Sequence, residues 1–106
     1  MRDPIILEQV KSSLAELARI APGRAIEVRI PPYAAIQCGD GPTHTRGTPP
    51  NVIEMQADVW LALVNGDEIW ADALNRGAIN ASGARADLSA LLPLENYERV
   101  KREQKP

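Results

Sequence analysis

Residues 25 to 38 read "AIEVRIPPYAAIQC", and the fold class turns on how they are taken. Ile26, Val28 and Ile30 alternate with Glu27 and Arg29. A strict period of two with one apolar and one charged face is the pattern of a half-buried β-strand. Pro31 and Pro32 lack the amide hydrogens that would continue a ladder, so they end this strand and permit a turn. "YAAIQC" at 33–38 then reads as a second strand.

Working downstream, "GDGP" is a turn and "THTRG" a short third strand. After a Pro49–Pro50 bend, "NVIEMQ" at 51–56 is a fourth. Two compact helices follow. Asp58 caps "VWLALVNG" or sits in its first turn, with Gly66 as its left-handed stop; Asp67 caps "EIWADALNRG", stopped by Gly77. "AINASG" is a fifth strand, and "ARADLSALLPL" a last core helix ended near Pro93. Upstream, residues 4–20 form an amphipathic helix. Asp3 caps it, Pro4 suits its first turn, Ile6, Val10, Leu14 and Leu17 recur at helical spacing, and "APGR" stops it. Strands and helices are grouped rather than alternating. That predicts an α+β fold with helices packed on one face of a sheet.

The 106 residues suit one domain. It is expected over 1–94, with its N-terminal helix at 4–20 and core at 25–94; residues 95–106, "ENYERVKREQKP", are a charged tail or helix. With 44% apolar and 25% charged residues the composition is that of a globular protein. A net charge of −2 gives no basic surplus, which argues against nucleic acid and anionic membrane as partners. No run approaches a membrane span of about 20 apolar residues, so no integral membrane contact is expected. "MRDPIILEQVKSSL" turns polar too soon for a signal peptide, and a single cysteine forms no internal disulfide; both point to the cytoplasm. There is no Phe, and the aromatics are Tyr33, Trp60, Trp70 and Tyr97. The core must be aliphatic.

Chemistry-bearing residues are sparse. With "GDGP" as a four-residue hairpin loop, Cys38 faces Thr43 and Gln37 faces His44. Alternation then puts Cys38 with Ile36 on one sheet face, and His44 with Ala35 and Arg46 on the other. A Cys–His dyad needs both groups within hydrogen-bond reach, and the sheet separates them. One Cys and one His supply two metal ligands at most, and no second pair stands at zinc spacing. Arg46, among Thr43, Thr45 and Thr48, is a candidate anion contact whose guanidinium fork suits a carboxylate or phosphate; the plainer reading is a solvated strand-end arginine. "CGDGP" is neither a phosphate loop nor a dinucleotide fingerprint, no serine sits in a nucleophile elbow, and no cofactor motif is present. Asp58, Asp67 and Asp87 read as helix-start carboxylates. No catalytic apparatus assembles, so no enzyme is expected.

From Ala25 to Leu94 the pattern resembles the sterol carrier protein domain, most tellingly over "ADVWLALVNGDEIWADALNRGAINASGARADLSALLPL" at 57–94. Trp60, Leu61, Leu63 and Gly66 match that family's "W/F-L-x-L-x-x-G" helix. Trp70, Ala73, Leu74 and Gly77 match its second helix, Ile79 and Gly83 its strand, and Leu88, Leu91 and Leu92 its closing helix. The half preceding it resembles a small stand-alone bacterial, actinobacterial branch of the family. The resemblance implies a five-stranded, mostly antiparallel sheet covered on one face by helices, with an apolar tunnel between the layers. It also implies carriage of sterols, fatty acids or acyl-CoA.

On that reading a lipid or other hydrophobic small molecule is bound by the inward strand face (Ile26, Val28, Ile30 and Ile36) and by Trp60, Leu63, Trp70, Leu74, Leu88 and Leu91. For each of them plain core packing is the competing role. The alternative function is an interaction or accessory module without a cavity, which joins a partner enzyme or pairs with itself as a homodimer.

Overall fold

A computed structural model describes residues 3–41 and 51–94. Helix α1 runs from Pro4 to Ile20. Asp3 caps it: one carboxylate oxygen, Oδ1, accepts hydrogen bonds from the Ile5 and Ile6 amides at 2.8 and 3.2 Å. These would otherwise be orphaned donors, and Pro4 has none to orphan. Its buried residues, Val10, Ser13, Leu14 and Leu17, form one stripe.

Strands β1 (Ile26–Ile30), β2 (Ala34–Cys38), β3 (Asn51–Glu54) and β4 (Asn80–Ser82) make a sheet of order β2-β1-β3-β4. β1 and β2 are an antiparallel hairpin in which Ile26 faces Cys38 and Ile30 faces Ala34. β3 runs parallel to β1 with Asn51 beside Ile26, and β4 runs antiparallel to β3. The chain therefore leaves β2 and begins β3 at the same end of β1, on its other side. It has two strand spacings, about 10 Å, to cover. Ile26, Val28, Ile30 and Ile53 point to the buried face, while Glu27, Arg29, Val52 and Glu54 point away. The loop from α1 into β1 is fastened to the end of β2. The Gly39 amide donates to the Ala21 carbonyl (2.8 Å), and the Ala25 amide to the Gly39 carbonyl (3.1 Å). Gly23, at φ 139°, leaves no room for a side chain: a Cβ would lie 1.9 Å from the Gly39 oxygen.

Helices α2 (Ala57–Asn65) and α3 (Trp70–Asn75) follow β3. α1 packs on β2 and on α2, so the helices lie over one face of the sheet. Gly66 stops α2 at φ 82°, as expected. Asp58 sits in its first turn, accepting the Val59 amide at 2.9 Å.

Four expectations need correction. The sheet has four strands among the described residues rather than five; the expected third strand, 43–47, lies outside them. Asp67 does not cap the next helix. Its amide and that of Glu68 donate to the Ala62 carbonyl at 2.8 and 3.2 Å, finishing α2, so α3 cannot begin before Ile69. The expected strand over 78–83 pairs only at Asn80–Ser82. The closing helix is a single 3-10 turn, Ser89–Leu91. Pro93 removes a donor, collides with a helical carbonyl four residues back, and drives Leu92 to an extended ψ of 145°. Too few residues lie between Asp87 and that block for a helix. The segment still packs: Ala86, Leu88 and Leu94 are buried, and the Leu94 amide donates to the Val64 carbonyl at 3.1 Å.

Candidate functional site

The helix-covered face of the sheet is where the expected ligand residues converge. Alternation brings Ile26, Val28 and Ile30 inward from β1; one turn of α2 brings Trp60 and Leu63; Leu88 comes from the closing segment. All six are buried, and Trp70 of α3 is only 7% exposed. Ile36 and Leu91 are half-buried against the same cluster. Leu74 is not part of it. It is 42% exposed, because the six-residue α3 turns Trp70 and Ala73 inward and Leu74 outward.

Two polar side chains that sequence reasoning missed lie inside this layer. Ser13 accepts a 2.8 Å hydrogen bond from Trp60 Nε1 and donates back to the Gln9 carbonyl at 2.7 Å. Asn51 bridges two segments: its Nδ2 donates to the Ala25 carbonyl (2.8 Å), and its Oδ1 accepts from the Arg85 amide (2.9 Å). A small polar residue within the apolar stripe of α1 was a weak signal for Ser13. Asn51 gave none. Among the described residues, no buried side-chain nitrogen or oxygen lacks a partner.

Cys38 is fully buried opposite Ile26, and burial raises its pKa. His44 and Arg46, with the threonines around Arg46, lie outside the described residues. No group of three or more His, Cys, Asp and Glu among the described residues could hold a metal ion. No helix there is long and apolar enough to cross a membrane.

Open grooves flank the packed layer. One of about 440 Å³ lies between the end of α1 (Glu16, Ile20) and residues 90–94, and Leu91 borders it. Another of about 510 Å³ lies between Pro31, the β3–α2 junction and residues 76–78. The buried Met55 and Val59 line it together with Glu54, Asp58 and Arg76. Ile36 borders a shallower one, of about 300 Å³, on the edge hairpin. Arg76 is held by Glu68 through two hydrogen bonds, of 2.7 and 2.8 Å, which keep the Glu68 carboxyl below the usual range. Apart from Ile36 and Leu91, the expected ligand residues line none of these three grooves.

No curated protein matches the chain. A family model described as "Bacterial SCP ortholog" matches residues 4–94, from the first residue of α1 to the last described residue of the closing segment. The chain therefore belongs to the bacterial, sterol carrier protein-like SCP family.

Proposed function

We propose that the protein binds and carries a lipid or another hydrophobic small molecule of the sterol, fatty acid or acyl-CoA class, without catalysis. The supporting observation is the apolar layer between sheet and helices, in a chain that belongs to a sterol carrier protein-like family over residues 4–94. Its polar groups are satisfied internally, and its one described thiol is buried with a raised pKa, which does not favour a reactive thiolate. The ligand would contact Ile26, Val28, Ile30, Ile36, Trp60, Leu63, Trp70, Leu88 and Leu91, with Leu74 and Arg46 at its margins. In the structure the buried members of this set pack against one another, so binding requires part of the helical layer to move. Native mass spectrometry of freshly purified protein tests the reading. A co-purifying lipid-sized adduct on the folded chain is expected. An adduct-free chain whose melting temperature ignores fatty acid, sterol and acyl-CoA at about 100 μM would exclude binding tighter than that.

One observation favours a second reading. Ile5, Ile20, Ile69 and Leu74 are exposed while the core is filled, the distribution of an interaction module that docks on a partner enzyme or a second copy. The same mass spectrum separates the two where the partner is a second copy, since a self-pairing module gives a dimer without an adduct.

A further inference from the structure

α3 is attached to the molecule differently from the other helices. Its buried residues are Trp70 and Ala73 alone. Its N-cap, Ile69, offers no side-chain hydrogen bond, as Gln56 offers none to α2, and its backbone bonds are internal. The Ala73 amide donates to Ile69, Arg76 to Asp72, and Ala78 to Ala73. The residues before it, Asp67 and Glu68, are bonded instead to Ala62 of α2 and belong to the body. After it comes Gly77, at a left-handed φ of 77° that suits glycine, with its amide donating to the Leu74 carbonyl at 3.1 Å; as a glycine it can take up a change of φ if those bonds open. Among the described residues, the side-chain hydrogen bonds across the boundary are the bidentate pair from Arg76, the C-cap of α3, to Glu68 in the body, and the Asp58 carboxylate of α2 also attracts Arg76. Arg76 and Gly77 also line the 510 Å³ groove floored in part by Met55 and Val59. Ile69, 62% exposed, and Leu74 lie on the outer side of the same segment.

We propose that residues 69–77 form a hinged lid, latched by Glu68–Arg76 and plugged by Trp70, that opens the core to an apolar ligand from the groove beside Gly77. This rests on the carrier reading above and supplies the movement it requires. The groove's volume falls within the roughly 300–1,000 Å³ of small-molecule sites, and its apolar floor is made of Pro31, Met55, Val59 and Ala78 and does not include Trp70. Withdrawing an indole that buries on the order of 200 Å² would extend that floor inward. A six-residue helix lifted off its support has too few turns to persist, so opening also releases its amides to solvent. The latch is a surface ion pair, strong enough to bias the lid and weak enough to yield.

Native-state hydrogen exchange on the full chain, with and without dilute guanidinium chloride, tests the lid without any ligand. The Ala73, Arg76 and Ala78 amides should share one opening, at least about 100-fold more populated than the unfolding that exposes β1, and nearly insensitive to dilute denaturant. Glu68→Gln should speed their exchange by about two- to fivefold, and 1 M salt should produce a change of that size in the parent and a smaller one in the variant, where Asp58 still attracts Arg76. Amides of α3 that exchange together with β1, or that ignore Glu68→Gln, would overturn the lid. Palmitate then tests its role. If access runs through the lid, the association rate should rise in Glu68→Gln by the same factor as the exchange. An unchanged rate overturns the route while leaving the carrier reading standing. Palmitate that binds neither protein overturns the route for a fatty acid, the carrier reading falls only if sterol and acyl-CoA fail as well, and the exchange data still decide whether the hinge exists.

Discussion

Trp60 Nε1 donates a 2.8 Å hydrogen bond to Ser13 Oγ across 47 positions of sequence, in the middle of the apolar layer that joins α1 to α2. Both residues are fully buried. The serine hydroxyl is engaged on both sides, accepting from the indole and donating to the Gln9 carbonyl. It therefore supplies the indole's polar edge with a partner that no water can replace.

Ser13→Ala should cost about 1–3 kcal/mol, the penalty of stranding a buried donor, although it removes a single oxygen. For a domain of this size that is a loss of at least about 4 °C in Tm. Trp60→Ala should cost about 3–5 kcal/mol through lost packing. In the double variant Ser13→Ala adds little, because the stranded N–H has gone. Full additivity in a double-mutant cycle would mean that the two side chains do not act on each other.

Asn51 offers a sharper test, since its two ends do opposite jobs. Asn51→Asp keeps an acceptor for the Arg85 amide but turns the donor that served the Ala25 carbonyl into a second acceptor. At a residue only 4% exposed, we expect a loss of at least about 2 kcal/mol at pH 7. The carboxylic acid form can donate to Ala25 again, so the pKa of the introduced Asp is raised in the folded state. The deficit relative to the parent should shrink as pH falls through that raised value. A deficit that stays constant between pH 7 and 4 would show that the Ala25 contact carries no weight.

Cys38 should be inert in the folded protein. Burial raises its pKa above the ordinary thiol value near 9.0 by penalising the thiolate. The sign follows directly. The folded state favours the neutral thiol, so its contribution to stability is complete below the unfolded pKa and is lost as pH rises through the folded one. Cys38→Ser should remove that alkaline dependence. Labelling by a thiol reagent at pH 7.5 should be limited by unfolding; labelling at the rate of a free model thiol would contradict the burial.

The legible parts of this fold were those with a local cause. Asp3 before Pro4, then Val10, Leu14 and Leu17 in register, is a helix start and stripe that neighbouring residues write by themselves, and α1 spans Pro4–Ile20 as expected. Ile26, Val28 and Ile30 faced inward because alternation leaves a strand no other choice. What depended on competition was misread. Leucines at 88, 91 and 92 suggested a helix, but they mark burial, and Pro93 settled the backbone. Asp67 looked like a cap, yet α2 used its amide first. The parallel pairing of β1 with β3 and the Ser13 and Asn51 bonds join residues far apart in sequence, where no local pattern can announce the partner. Among the candidate site residues the same division holds for burial: that of the β1 residues and Trp60 was legible, whereas the outward turn of Leu74 was not.

Leu74 and Leu88 separate a ligand contact from plain packing. Leu88 is fully buried although its segment is not helical, so Leu88→Ala should cost about 2–5 kcal/mol. Leu74 is 42% exposed on the outer side of α3, and Leu74→Ser should change stability by less than about 0.5 kcal/mol. If palmitate contacts the outer side of α3 as the segment lifts, Leu74→Ser should weaken its binding two- to tenfold, on the order of one lost apolar contact. Trp fluorescence reports that binding through Trp70, while thermal melting reports the fold. Weakened binding with unchanged melting places Leu74 on the ligand's path. Unchanged binding with unchanged melting removes it from the site and returns it to the exposed set, with Ile5, Ile20 and Ile69, that a protein partner would cover. A large fall in melting temperature for Leu74→Ser would contradict the orientation of α3 itself.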